Sequence, residues 1–171
     1  MDILKTALTW AKDELFSTPL FVAFGVVFIL ASVGFWQLGK TDIAKAYVVP
    51  ILVAGVLLIV IGVGLYANNR SRVNTFETMY QEDPSGFIAS EIERTESTLK
   101  EYQTVVFKVI PIIIVVAALG LIFFSSPLWR AICITTIAMM VVLLLVDGIA
   151  HSRIDDYNKK LLTASEKLQI K

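Results

Sequence analysis

The chain has one cysteine and one histidine in 171 residues, and its 15 Lys plus Arg are balanced by 15 Asp plus Glu. A lone Cys133 excludes an intrachain disulfide. With His151 as the sole imidazole, no Cys/His set remains for a metal site. The zero net charge lacks the basic excess of nucleic-acid binders, so no nucleic-acid partner is expected. Walker loops, Gly-x-Ser-x-Gly and His-Glu-x-x-His are all missing. No catalytic residue, metal, cofactor or small-molecule substrate is therefore assigned, and the chain is read as non-enzymatic. The glycines also leave out the Gly-x-x-x-Gly dimer face, since no two lie four apart.

What is present is apolar. Hydrophobic residues make up 56% of the chain, and four long runs cover 20–38, 46–67, 105–124 and 128–148. Each has the roughly 20 residues that a helix needs to cross a hydrocarbon core of about 30 Å. The expected fold is all-α, a polytopic membrane protein with four transmembrane helices in two antiparallel hairpins. Membrane lipid is then an obligatory partner. The first run follows a mixed-charge segment and is longer than a signal-peptide core, so it is expected to be a retained helix.

Orientation follows from the basic residues. Twelve lie in the N-terminal, middle and C-terminal segments, among them Arg70, Arg72, Arg94, Lys108 and Arg153, against Lys40, Lys45 and Arg130 in the two short loops. Both termini are expected to be cytoplasmic, in a plasma membrane of bacterial inner-membrane type. The organisation reads as an amphipathic helix at 1–18, a first transmembrane hairpin at 19–67, a helical linker at 68–104, a second hairpin at 105–150 and a stalk helix at 151–171. Trp36, Tyr47, Phe123, Phe124 and Trp129 fall at the outer interface, the depth that amphipathic rings prefer. Pro50 and Pro111 lie inside their spans, where each can kink a helix.

The two hairpins resemble copies of one unit. Ser71-Arg72-Val73-Asn74-Thr75-Phe76 follows the second run, and Ser152-Arg153-Ile154-Asp155-Asp156-Tyr157 follows the fourth. An internal duplication with both copies in the same orientation is expected. Beyond these exits, apolar residues recur every three or four positions. They are Val73, Phe76 and Tyr80 after the second run, and Ile154, Tyr157, Leu161, Ala164 and Leu168 after the fourth. Such a seam belongs to amphipathic helices that bury one face. Ile3, Leu4, Ala7, Leu8, Ala11 and Leu15 form a similar stripe, as do Ile88, Ile92, Leu99, Tyr102 and Val106. The seams fit packing within the chain, stalks between subunits, or contact with another protein.

Few groups within the spans carry chemistry. Lys108 and Asp147 reach similar depth when the second hairpin folds about Pro127, which makes them a candidate ion pair. Glu91, Glu93, Glu96 and Glu101 are expected on a water-facing helix. His151 is expected to be a solvated interfacial residue. Gly25, Gly34, Gly55, Gly62 and Gly120 mark places for close helix packing. Asp147-Gly148 at the head of Asp147-Gly148-Ile149-Ala150 resembles the opening Asp-Gly of the CDP-alcohol phosphotransferases, membrane enzymes that bind metal through carboxylates. That signature continues with an Ala, an Arg, a Gly and two spaced Asp. Here His151 takes the Ala position, no Gly follows Gly148, and Asp155 and Asp156 come too early, so no metal site or activity is carried over.

The function expected from these features is helix-mediated association, as a homo-oligomer or as a subunit of a larger membrane complex. The alternatives are an oligomeric channel or membrane-disrupting effector, and an immunity protein that binds a toxin within the bilayer.

Overall fold

The computed structural model describes residues 3–169, with side chains as far as 167, so the Leu168 side chain of the C-terminal seam lies outside the described residues. The described chain is all-helical. The elements run α1 Ile3–Ser17, α2 Pro19–Leu38, α3 Asp42–Ala46, α4 Val48–Glu82, α5 Pro84–Glu101, a π-helical stretch Tyr102–Val109, α6 Ile110–Phe123 and α7 Pro127–Gln169. In combination they give four helical stretches long and apolar enough to cross a membrane: Ile3–Leu38, Asp42–Glu82, Pro84–Phe123 and Pro127–Lys167. The chain is thus read as an integral membrane protein.

Local sequence sets the breaks. Pro19 has no amide to continue α1, and Thr18 bridges to α2 in helical geometry, its hydroxyl donating to the Glu14 carbonyl at 2.7 Å. The Thr41 hydroxyl caps α3 by accepting from the Ala44 amide at 3.2 Å. Asp83 caps α5 by accepting from the Gly86 amide at 3.0 Å, with Pro84 at the first helical position. That amide holds the exposed Asp83 carboxyl below its ordinary pKa. Pro50 falls in the first turn of α4, where its missing N–H costs least. Pro111 is the second residue of α6, separated by Ile110 alone from the end of the π-helical stretch. A proline ring displaces the carbonyl four residues back, and a widened turn is a recurring accommodation of such an insertion.

Helices α4 and α7 run unbroken for 35 and 43 residues, lengths of about 52 and 65 Å. Each therefore exceeds a hydrocarbon core of about 30 Å. Helix α2 lies along α4 and α6 along α7, while α7 also touches α1, α2, α4 and α5. Between the apolar parts sits one core of Phe21, Leu58, Val142 and Val146. The second core joins the polar ends of α1, α4, α5 and α7 around Trp10, Phe76, Phe87, Ile88, Tyr157 and Leu161. Large apolar residues such as Leu30, Val60, Ile112 and Val116 are exposed on the span faces, as a lipid-facing surface requires.

Candidate functional site

The two cores meet around a cavity of about 210 Å³. Its upper wall is polar, with Trp10 and Glu14 from α1, Arg72 from α4 and Arg94 from α5. Its floor is apolar where the spans begin, at Phe21, Leu65 and Val146. Trp10 is buried and stacks on Tyr157, with ring centroids 5.0 Å apart and planes 8° from parallel. The Arg94 guanidinium lies 4.6 Å from the Trp10 ring centroid and that of Arg72 lies 5.9 Å away. Arg94 grips Glu91 in a two-pronged pair, Nε to Oε1 at 2.8 Å and Nη2 to Oε2 at 2.6 Å. Tyr157 donates its hydroxyl to the same Glu91 Oε2 at 3.0 Å. Arg72 donates to Asn69 Oδ1 at 2.9 Å. Arg153 ties α7 to the end of α1 through the Asp13 carbonyl at 2.9 Å and Ser17 Oγ at 2.7 Å.

Burial in this setting displaces several titrations. Glu14 is pushed up to about 7, chiefly by burial. Arg153 and Arg72 pull it down, and Asp13 and Asp147 push it further up. Arg72 is lowered from its ordinary value by burial and then by the neighbouring Arg94 charge. The Tyr102 and Tyr157 hydroxyls are raised, first by burial and then by nearby carboxylates, Asp147 and Glu91 respectively.

The Glu14 displacement fixes a pH dependence. Its carboxyl titrates near 4.5 in the unfolded chain and near 7 in the folded one, so the folded state binds the proton more tightly. The stability this contributes is complete below about pH 4.5 and is lost as pH rises through about 7, a change of up to about 3 kcal/mol. Thermal unfolding in mild detergent from about pH 5 to about pH 8 should show this decline, and Glu14→Gln should flatten it.

Several sequence expectations are placed differently. Glu91 is buried at 6% exposure in the polar core instead of facing water. Asn158 of α7, a polar residue between the seam positions Tyr157 and Leu161, is buried and accepts from the Thr95 hydroxyl at 2.7 Å. His151 is half-buried between the edges of Tyr102 and Phe107, at 5.7 and 5.0 Å. Lys108 and Asp147 are not brought together, and no ion pair joins them among the described residues. Lys108 is exposed because Val106 and Ile110 face inward, and a position two residues from each points to the opposite side of a helix. Equal depth does not fix azimuth.

The seam residues converge instead. Phe76, Ile154, Tyr157 and Leu161 are buried in the polar-end core, and Val73, Tyr80 and Ala164 pack against it. Gly25, Gly55 and Gly62 sit at the α2–α4 contact, and Gly120 faces Cys133 Sγ. Gly34 touches nothing that a Cβ would meet. Trp10, Glu14, Arg72, Thr95 and Asn158 were missed as site residues. The one available signal was Trp10 within the apolar stripe of α1, three residues after Ala7.

Among the described residues no group of three or more His, Cys, Asp or Glu is arranged to hold a metal ion. Comparisons with protein-family models, curated proteins and solved structures give no match.

Proposed function

We propose that this chain is a non-enzymatic inner-membrane protein that works by association of its spans, as a homo-oligomer or within a membrane complex. In this reading the four spans form two hairpins of a duplicated unit, with the termini and the polar helix ends in the cytoplasm. The observation that carries it is an apolar groove of about 440 Å³ between α4 and α7, walled by Val49, Val53 and Leu57 on one side and Leu128, Ile132 and Thr136 on the other. Thr135 also lines this groove, and its hydroxyl is buried without a hydrogen-bond partner. An unpaired hydroxyl is costly in hydrocarbon, and a helix from a second membrane segment fills the groove and supplies an acceptor. The seams support the same assignment by elimination. Their apolar faces are already covered within the chain, which leaves the spans for association.

Cysteine cross-linking tests this in native membranes. With Cys133 replaced by Ala, Val53→Cys is expected to give a covalent dimer or a cross-linked partner on mild oxidation. A cysteine placed on the exposed side of α6, as Val116→Cys, is expected to give much less. Equal yields at the two positions would count against the groove. Leu161→Ser should lower stability by about 2–4 kcal/mol, not release subunits.

A further inference from the structure

The cavity beneath Trp10 contains unmatched hydrogen-bonding groups of both kinds. Trp10 is 7% exposed and lines the cavity, and its Nε1–H has no acceptor within the protein. Glu14 Oε1 is buried there without a hydrogen-bond donor, its nearest cation being Arg153 at 4.0 Å. The formal charges on the wall are also of both signs, Arg72 and Arg94 against Glu14, Glu101 and Asp147. A bare anion would meet three carboxylates, and a bare cation would meet two guanidinium groups. A volume of about 210 Å³ far exceeds the roughly 10–15 Å³ that one water requires. The floor of Phe21, Leu65 and Val146 belongs to the start of the spans, which sets the cavity at the depth of lipid headgroups.

We propose that this cavity binds the zwitterionic headgroup of an ethanolamine-type phospholipid, its primary ammonium donating to Glu14 and its phosphate accepting from Trp10 and Arg72. The two orphaned atoms then gain partners of the correct kind, and each formal charge of the ligand meets an opposite one. A primary ammonium is required because a trimethylammonium has no N–H to give Glu14 Oε1. A headgroup with no cation offers Glu14 at most a neutral hydroxyl donor and leaves its carboxylate charge unmatched beside a phosphate. The inference rests on the four membrane spans and is independent of whether the chain associates.

Trp10 fluorescence gives the test. The exposed Trp36 and Trp129 are replaced by Phe so that Trp10 is the sole indole. The detergent-solubilised full chain is titrated with short-chain phosphatidylethanolamine, phosphatidylcholine and phosphatidylglycerol, and with free O-phosphoethanolamine. The ethanolamine lipid is expected to half-saturate the response at a concentration at least about tenfold lower than the other two lipids. Glu14→Gln, which keeps the side-chain shape, is expected to reduce that preference to less than about threefold. Equal responses to the three lipids, or no response, would overturn the proposal. So would an unchanged preference in a folded Glu14→Gln variant. Free phosphoethanolamine acting at the same concentration as the lipid would overturn the lipid assignment in favour of a soluble ligand. The lipid comparison decides the matter alone if Glu14→Gln does not fold.

Discussion

Gly55→Leu is expected to abolish the folded state in mild detergent or reduce its stability by more than about 3 kcal/mol. A Cβ at Gly55 would lie 2.9 Å from the Gly25 carbonyl oxygen and 2.9 Å from Ile29 Cγ1. The first of those is backbone and cannot rotate away. The reciprocal contact has the same character, since a Cβ at Gly25 would lie 2.8 Å from the Gly55 carbonyl oxygen. Helices α2 and α4 therefore must part to admit any side chain. Apolar burial gives little help in a bilayer, so the lost close packing is not recovered elsewhere. Gly55→Ala should already be destabilising, against a helix-propensity gain of about 1 kcal/mol. Gly34→Ala is the control. Nothing lies within 4 Å of a Cβ there, so the same propensity gain should leave it at least as stable as the parent. Unfolding followed by circular dichroism in mixed micelles separates the three variants.

Tyr157→Ala is expected to lose about 3–5 kcal/mol, the range for deleting a fully buried large aromatic. Tyr157 is 2% exposed, and its ring stacks on Trp10 while its hydroxyl reaches Glu91. Deletion opens a hole between α1 and α7 and removes one donor from a buried carboxylate. Tyr157→Phe separates these effects. It keeps the stack and removes the hydrogen bond to a charged acceptor, a loss of about 1.5–3 kcal/mol. Arg94 still holds both Glu91 oxygens in that variant, so the cost should fall at the lower end. A Tyr157→Phe loss equal to that of Tyr157→Ala would place the stabilisation in the polar network and not in the stack.

Tyr157 also illustrates what the sequence made legible. Its apolar period with Ile154 and Leu161 requires a buried helix face, and all three are buried. The period is silent about which surface covers that face, because Ile3, Ala7 and Trp10 of α1 are distant in sequence and meet α7 only through tertiary packing. The spans were legible for a related reason, since about 20 apolar residues in succession have one cheap environment. Glu91 and Asn158 were not legible. Polar residues on a polar helix read as solvated, and their burial depends on Arg94 and Thr95 being aimed at them. Lys108 and Asp147 show the opposite error. Counting from the turn at Pro127 gave depth along the helix, but pairing also requires the right azimuth, which Val106 and Ile110 occupy. The polar cavity has no linear motif at all, because its residues are spread mainly over α1, α4, α5 and α7, three or four from each.

The reading of an associating membrane protein depends most directly on how many copies occupy one membrane patch. Native mass spectrometry of the unaltered chain, released from lipid nanodiscs, counts them without any substitution. The account predicts a mass of two or more copies, or of one copy with a stoichiometric membrane partner, reduced to a single copy when Ile132→Trp fills the α4–α7 groove. A single unaccompanied copy across the accessible concentration range would contradict it.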